Sequence, residues 1–308
     1  MISKEEQGFY LKRLSTPNYL GESFFEQFQH GSGDELKEKF WKDKSSARMT
    51  FDLYSWMSNE DIVRDFKFER KLPAIKSYRK GNNSGNTAGV PHIDVYIETG
   101  TDIIFIESKY TEKAGLHYKG EGKKDLKPQY WNQGIYKGLS ISQRFYNEEE
   151  IALMFSNFCD DIQEEIDRTK ELYKGSNPWK WFNAKQETCH LFGIIFFLLD
   201  SKEVVKYAYG HSQSSLKSKR IHLYNIIWQL NGDVIEKRKH TLPAIFEEKA
   251  NKLVRRCLPV EFDFNIMTVQ ELLKQSNFYG LDFTKAHAFL TDSLLSDYME
   301  RYNLPDKR

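Results

Sequence analysis

Cysteine is scarce in this chain. It has three in 308 residues, Cys159, Cys189 and Cys257, far apart and odd in number. No C-x-x-C pair is present, so neither a zinc ribbon nor a disulfide framework is indicated, and a reducing cytoplasm is the expected home. Long apolar runs are also lacking. The longest, Leu191 to Leu199, spans nine residues, whereas a bilayer-spanning helix needs about twenty. No membrane span is expected, and the run reads as a buried strand or a short helix. The start, Met1 to Glu6, is polar and carries two acids, unlike a secretory leader. An excess of one charge is missing too: 45 Lys and Arg stand against 44 Asp and Glu. Any polyanion site must then come from local clustering rather than a global field. No Walker-type glycine loop, nucleophile elbow or H-E-x-x-H helix occurs, which argues against ATPase, α/β-hydrolase and zincin readings.

Aromatic residues are abundant, with 22 Phe, 17 Tyr and 6 Trp, enough apolar area for a sizeable core. The length admits one large domain or two ordinary ones. With no repeat and no convincing linker, a single domain is expected: an aromatic-rich N-terminal segment over 1–33, a core over 34–200, and a mainly helical C-terminal extension of the same domain over 201–308. Apolar spacing predicts a helix from Asp34 to about Met57, with a second short helix capped at Ser58-Asn59-Glu60-Asp61. Phe66 to Leu72 reads as a strand, and Asn82 to Gly89 as a polar loop. Helices are expected from Pro128 to about Phe145 and from Glu148 to Leu172, and an interior strand from His190 to Leu199. From Pro243 onward the pattern is helical, with a capping box at Thr268-Val269-Gln270-Glu271. The order predicts an α/β (α+β) fold, a mixed central β-sheet flanked by helices.

The most informative stretch is Pro91 to Tyr110, PHIDVYIETGTDIIFIESKY. Two β-rich runs flank Thr99-Gly100-Thr101-Asp102, a hairpin signature in which Asp102 closes the turn. With the turn centred between Gly100 and Thr101, Glu98 faces Ile103, Ile97 faces Ile104, Val95 faces Ile106 and Asp94 faces Glu107. Carboxylates opposed across strands repel at Cβ separations of roughly 4.5–5.5 Å. A divalent cation is the simplest reason to hold them there, since hard cations prefer carboxylate oxygens. Strand alternation puts Lys109 on the face of Glu107 and Ser108 on the other. His92, two residues before Asp94, shares that residue's face. It reads as a residue at the start of the strand with a local hydrogen bond, or as a group beside the cation or a general base. His190, ahead of an apolar run, reads as a structural histidine.

Asp94 on one strand and Glu107-Ser108-Lys109 ending the next resemble the PD-(D/E)XK nuclease superfamily, the restriction-endonuclease-like fold. Pro91 lies three positions before Asp94 rather than immediately before it. The resemblance implies that Asp94, Glu107 and the Ser108 carbonyl bind Mg²⁺ (or Mn²⁺), and that Lys109 orients or deprotonates the attacking water. It also implies a further glutamate from an earlier element, for which Glu69 fits best, and a glutamine from the following helix, for which Gln129 and Gln133 qualify. The activity implied is a metal-dependent endonuclease hydrolysing DNA, of the restriction or phage-defence type and acting in the cytoplasm, with a homodimer as one arrangement. A repair or recombination nuclease is the alternative within enzymes, and a non-catalytic nucleic-acid-binding module on the same fold is the alternative outside them.

Basic residues cluster near the motif. Lys67, Arg70, Lys71, Lys76, Arg79 and Lys80 precede it; Lys113, Lys119, Lys123, Lys124 and Lys127 follow it. Lys71, Arg79, Lys113, Lys123 and Lys124 are the candidates for tracking a phosphate backbone, against the plainer reading of solvated lysine-rich loops. A third basic group is Lys217 to Arg220.

Overall fold

The computed structural model describes residues 2–17, 21–29, 36–42, 45–72, 91–109, 148–173, 182–199, 219–227, 241–258 and 260–288. Strands β1 (Asp65–Lys71), β2 (His92–Glu98), β3 (Asp102–Lys109), β4 (Arg220–Ile227) and β5 (Phe262–Thr268) form one sheet in sequential order. β1–β2 and β2–β3 pair antiparallel, while β3–β4 and β4–β5 pair parallel. The result is a mixed α/β architecture.

Helices α1 (Lys4–Ser15), α2 (Phe24–Gln29) and α3 (Ser46–Tyr54) cover one face of the sheet. Helices α4 (Glu148–Leu172), α5 (Ala184–Leu199) and α6 (Leu242–Cys257) cover the other. A single turn, α7 (Val269–Leu272), follows β5 and joins the first layer. β3 shows why the sheet is central. Ile103 and Phe105 enter one apolar cluster, and Ile104 and Ile106 enter the other. A strand buried on both faces loses the polar alternation of a half-exposed one.

The hairpin register is the one the turn arithmetic predicts, from Val95 opposite Ile106 to Glu98 opposite Ile103. Helix α4 and the Thr268–Glu271 capping box also match. The expected helix over 34–57 is shorter. Residues 36–42 form turns, the Ser45 side chain accepts from the Arg48 N–H at 3.1 Å and starts α3 at Ser46, and a 3-10 turn closes it at Asn59. No helix begins at Ser58; the chain turns there into β1. The expected strand from His190 is instead the C-terminal part of α5. The expected helix from Pro128 and the loop from Asn82 lie outside the described residues.

The stretch 201–308, expected to be mainly helical, supplies β4 and β5 and so completes the sheet. It is part of the core, not an appendage. Asp102 likewise does more than close a turn. It is buried, with Arg220 Nε at 2.8 Å and His222 Nε2 at 2.9 Å from its Oδ1. His222 Nδ1 lies 2.9 Å from Asp263 on β5, so one imidazole links the beginnings of three strands.

Candidate functional site

The described residues of the predicted site converge at the C-terminal ends of β1 and β3 and the start of β2. Pairing of Phe68 with Val95 and Arg70 with Ile93 brackets Glu69 opposite Asp94. The β2–β3 pairing ends at Val95–Ile106; just beyond it the Asp94 carboxylate reaches the Ser108 backbone N–H, next to Glu107, and Glu107 pairs with Asn225 on β4. Glu69, Asp94 and Glu107 thus gather at this end of the sheet, close enough that Glu107 and Glu69 both act on the Asp94 carboxyl. Glu69 takes a left-handed backbone, φ 50°, a conformation that costs a non-glycine residue of order 1 kcal/mol or more and that tends to persist at functional sites.

The two central carboxylates are held by different donors. Asp94 Oδ2 accepts from the Ser108 backbone N–H at 2.6 Å. Glu107 Oε1 accepts from the Lys109 ammonium at 2.5 Å and from the Gln186 amide at 2.7 Å. Glu107 is 1% exposed and Lys109 8%. Burial pushes the Asp94 carboxyl well above the usual carboxylate range; neighbouring Glu107 adds to this, and Lys109 opposes it. On the opposite face of the sheet, Tyr54 of α3 stands close to Ser108 and Asp94, and burial raises its hydroxyl pKa.

Helix α5 supplies residues that the sequence reading missed. The Asn183 side chain accepts from the Gln186 N–H at 3.3 Å and caps the helix, so Gln186 and His190 fall four apart on one face. His190 Nδ1 lies 3.7 Å from Glu107 Oε2. Glu187 is fully buried, accepts from the Asn225 amide at 2.8 Å, and has a pKa pushed up to about 8 by burial, with Glu107 adding to it. Burial lowers the pKa of His190, with Glu107 pulling the other way. His92 is lowered by burial and by Lys71, and its Nδ1 sits 3.8 Å from Glu69. The signal for α5 was in the sequence: a capping Asn183 followed by Ala, Lys, Gln and Glu. Asn225 carried no such signal.

Gln129, Gln133, Arg79, Lys113, Lys123 and Lys124 lie outside the described residues. Lys71 is exposed at the end of β1. Other members of the basic clusters are engaged within the fold. Lys67 pairs with Glu22, Arg70 lies 4.3 Å over the Tyr96 ring and pairs with Asp65, Lys219 is buried against Glu98 and the Thr99 carbonyl, and Arg220 holds Asp102.

Among the described residues, no three His, Cys, Asp or Glu side chains already stand as a metal-binding group. The donor chemistry nevertheless suits a divalent cation. Glu107 Oε2, Glu187 Oε2, Asn225 Oδ1, His190 Nδ1 and His92 Nδ1 are all buried at this end of the sheet without a hydrogen-bond partner. Buried polar atoms are normally satisfied, and leaving one unpaired costs about 1–3 kcal/mol. Such a concentration marks a place built for water, an ion or a substrate. The chain matches no protein-family model, curated protein or solved structure in comparisons with each.

Proposed function

We propose that the protein is a Mg²⁺-dependent (or Mn²⁺-dependent) endonuclease of restriction-endonuclease-like architecture that hydrolyses DNA phosphodiester bonds. The observation that carries this reading is the gathering of Glu69, Asp94 and Glu107 at one end of the sheet, with Asp94 hydrogen-bonded to the Ser108 N–H beside Glu107 and the Lys109 ammonium buried against Glu107. Like charges aligned across a sheet destabilise it unless a cation or a proton sits among them. The hairpin followed by a crossover to parallel β4 fits the same architecture.

Asp94, Glu107 and the Ser108 carbonyl are the residues that would hold the ion. Once bound, it offsets charge on the phosphoryl oxygens and lowers the pKa of a bound water. The chain's own groups prepare the rest. The Ser108 N–H fixes one carboxylate oxygen of Asp94, and Gln186 and Lys109 fix one oxygen of Glu107. The Lys109 ammonium lies against Glu107, which places it to orient the attacking water and balance phosphate charge. Glu69 on β1 and His92 on β2 face one another at 3.8 Å beside Asp94. Lys71, exposed beside them, is placed to meet a phosphate backbone.

The test is cleavage of plasmid and of single-stranded DNA with Mg²⁺ or EDTA, with Glu107→Ala and Lys109→Ala alongside and their folding checked by circular dichroism. Cutting should require the metal and fall by at least about 100-fold in each variant. Cutting that survives EDTA, or that persists in both folded variants, rules the reading out. Salt-sensitive DNA binding without cutting would point to the non-catalytic module.

A further inference from the structure

His190 and Glu107 face one another without a hydrogen bond. Their facing atoms, Nδ1 and Oε2, are 3.7 Å apart, both buried, and both without a hydrogen-bond partner. That separation is too long for a hydrogen bond. It is within the span of two donors around one first-row ion, each about 2.0–2.2 Å from it and so at most about 4.4 Å apart. The other oxygen of Glu107 is already taken by Lys109 and Gln186, which leaves Oε2 as the one turned toward His190. The imidazole is fixed from below: His190 lies on α5, whose Gly193 packs so closely that a Cβ there would be 2.9 Å from Leu72 Cβ.

We infer that His190 is a nitrogen ligand to the cation, sharing it with Glu107, so that the site prefers Mn²⁺ to Mg²⁺. This rests on the metal-dependent reading above and goes beyond the oxygen donors it names. Carboxylate, carbonyl and water oxygens suit Mg²⁺, whereas imidazole shifts selectivity toward transition metals. The partnerless Asn225 Oδ1, on the strand next to Glu107, is an amide oxygen placed to join the same ion.

The decisive measurement is pulsed electron paramagnetic resonance on the full chain loaded with Mn²⁺ alone, without DNA, with natural and ¹⁵N-labelled histidine. A histidine nitrogen coupled to the ion is expected. It should vanish in His190→Ala and persist in His92→Ala. Calorimetric titration should show His190→Ala weakening Mn²⁺ binding at least tenfold while Mg²⁺ binding changes less than threefold. If His190→Ala does not fold, the isotope shift in the unaltered chain still decides whether a histidine binds. Bound Mn²⁺ with no histidine coupling overturns the inference and leaves the oxygen-only site standing. Coupling lost in His92→Ala instead overturns it as well. If neither Mn²⁺ nor Mg²⁺ binds the unaltered chain at millimolar concentration, the inference and the metal-dependent reading fall together.

Discussion

Glu187 shows how one residue can set the pH behaviour of the fold. It is held at about 8 against an ordinary 4.5, chiefly by burial. The folded chain therefore keeps a proton that the unfolded chain releases. Stability is full below about pH 4.5 and declines as pH rises toward 8, because the folded state binds more protons in that window. The separation corresponds to at most about 5 kcal/mol. Glu187→Gln mimics the neutral acid and keeps an acceptor for Asn225. In EDTA, its melting temperature should drop less between pH 5 and pH 8 than that of the unaltered chain, and should exceed it at pH 8. An undiminished pH dependence would show that Glu187 is not the group responsible. At this scale the sequence was partly legible. Asp94, Glu107 and Lys109 could be brought together because strand alternation is a local rule. Glu187 could not, because its burial depends on a helix reaching the sheet from 80 residues downstream of Glu107.

The elements differ in how far their own residues specify them. β2 and β3 are fixed by a turn and an apolar alternation that agree with one another, and the register followed from these. α5 was read as a strand because Leu191 to Leu199 is apolar throughout and rich in Phe and Ile. Such a run cannot be assigned from periodicity alone. It is helical because it is packed on nearly all sides: Phe192 stacks on Phe155 of α4 at 4.4 Å, and Phe197 meets Tyr96 and Phe105 of the sheet. Gly193 sets how near α5 comes to β1 and β2. In Gly193→Ala the new methyl meets Leu72 Cβ at 2.9 Å and Pro91 Cγ at 3.1 Å, and neither can swing aside. The overpacking cost of about 1–3 kcal/mol exceeds the gain in helix propensity of about 1 kcal/mol. The variant should melt lower and bind Mn²⁺ more weakly, because His190 moves with the helix. An unchanged melting temperature would mean that the contact is not tight.

For the molecule as a whole, the sheet is assembled from both ends of the chain. A fragment ending at residue 200 keeps β1 to β3 but leaves β3 as an open edge, apolar on both faces. Exposed hydrophobic edges template aggregation. The fragment should elute as aggregate or give an unfolded spectrum by circular dichroism; a monomeric, cooperatively melting fragment would refute this. Charge also reads differently at this scale. Basic residues that look like a polyanion surface in the sequence are partly spent indoors, with Lys219 on Glu98 and Arg220 on Asp102. Proximity in sequence says where charges begin, and only the packing says which of them face outward.

The hairpin and its register from Val95 to Glu98 are legible in the amino-acid order alone, since turn chemistry and two-residue alternation act over short distances. That order also determined the α4 span and the Thr268 cap for the same reason. The tertiary structure decided that α5 is a helix, that β4 and β5 complete the sheet, and that Gln186, Glu187, His190 and Asn225 surround Glu107. Those outcomes depend on which apolar surfaces far apart in sequence bury one another. Burial is a property of the assembled layers, which no local window of residues contains.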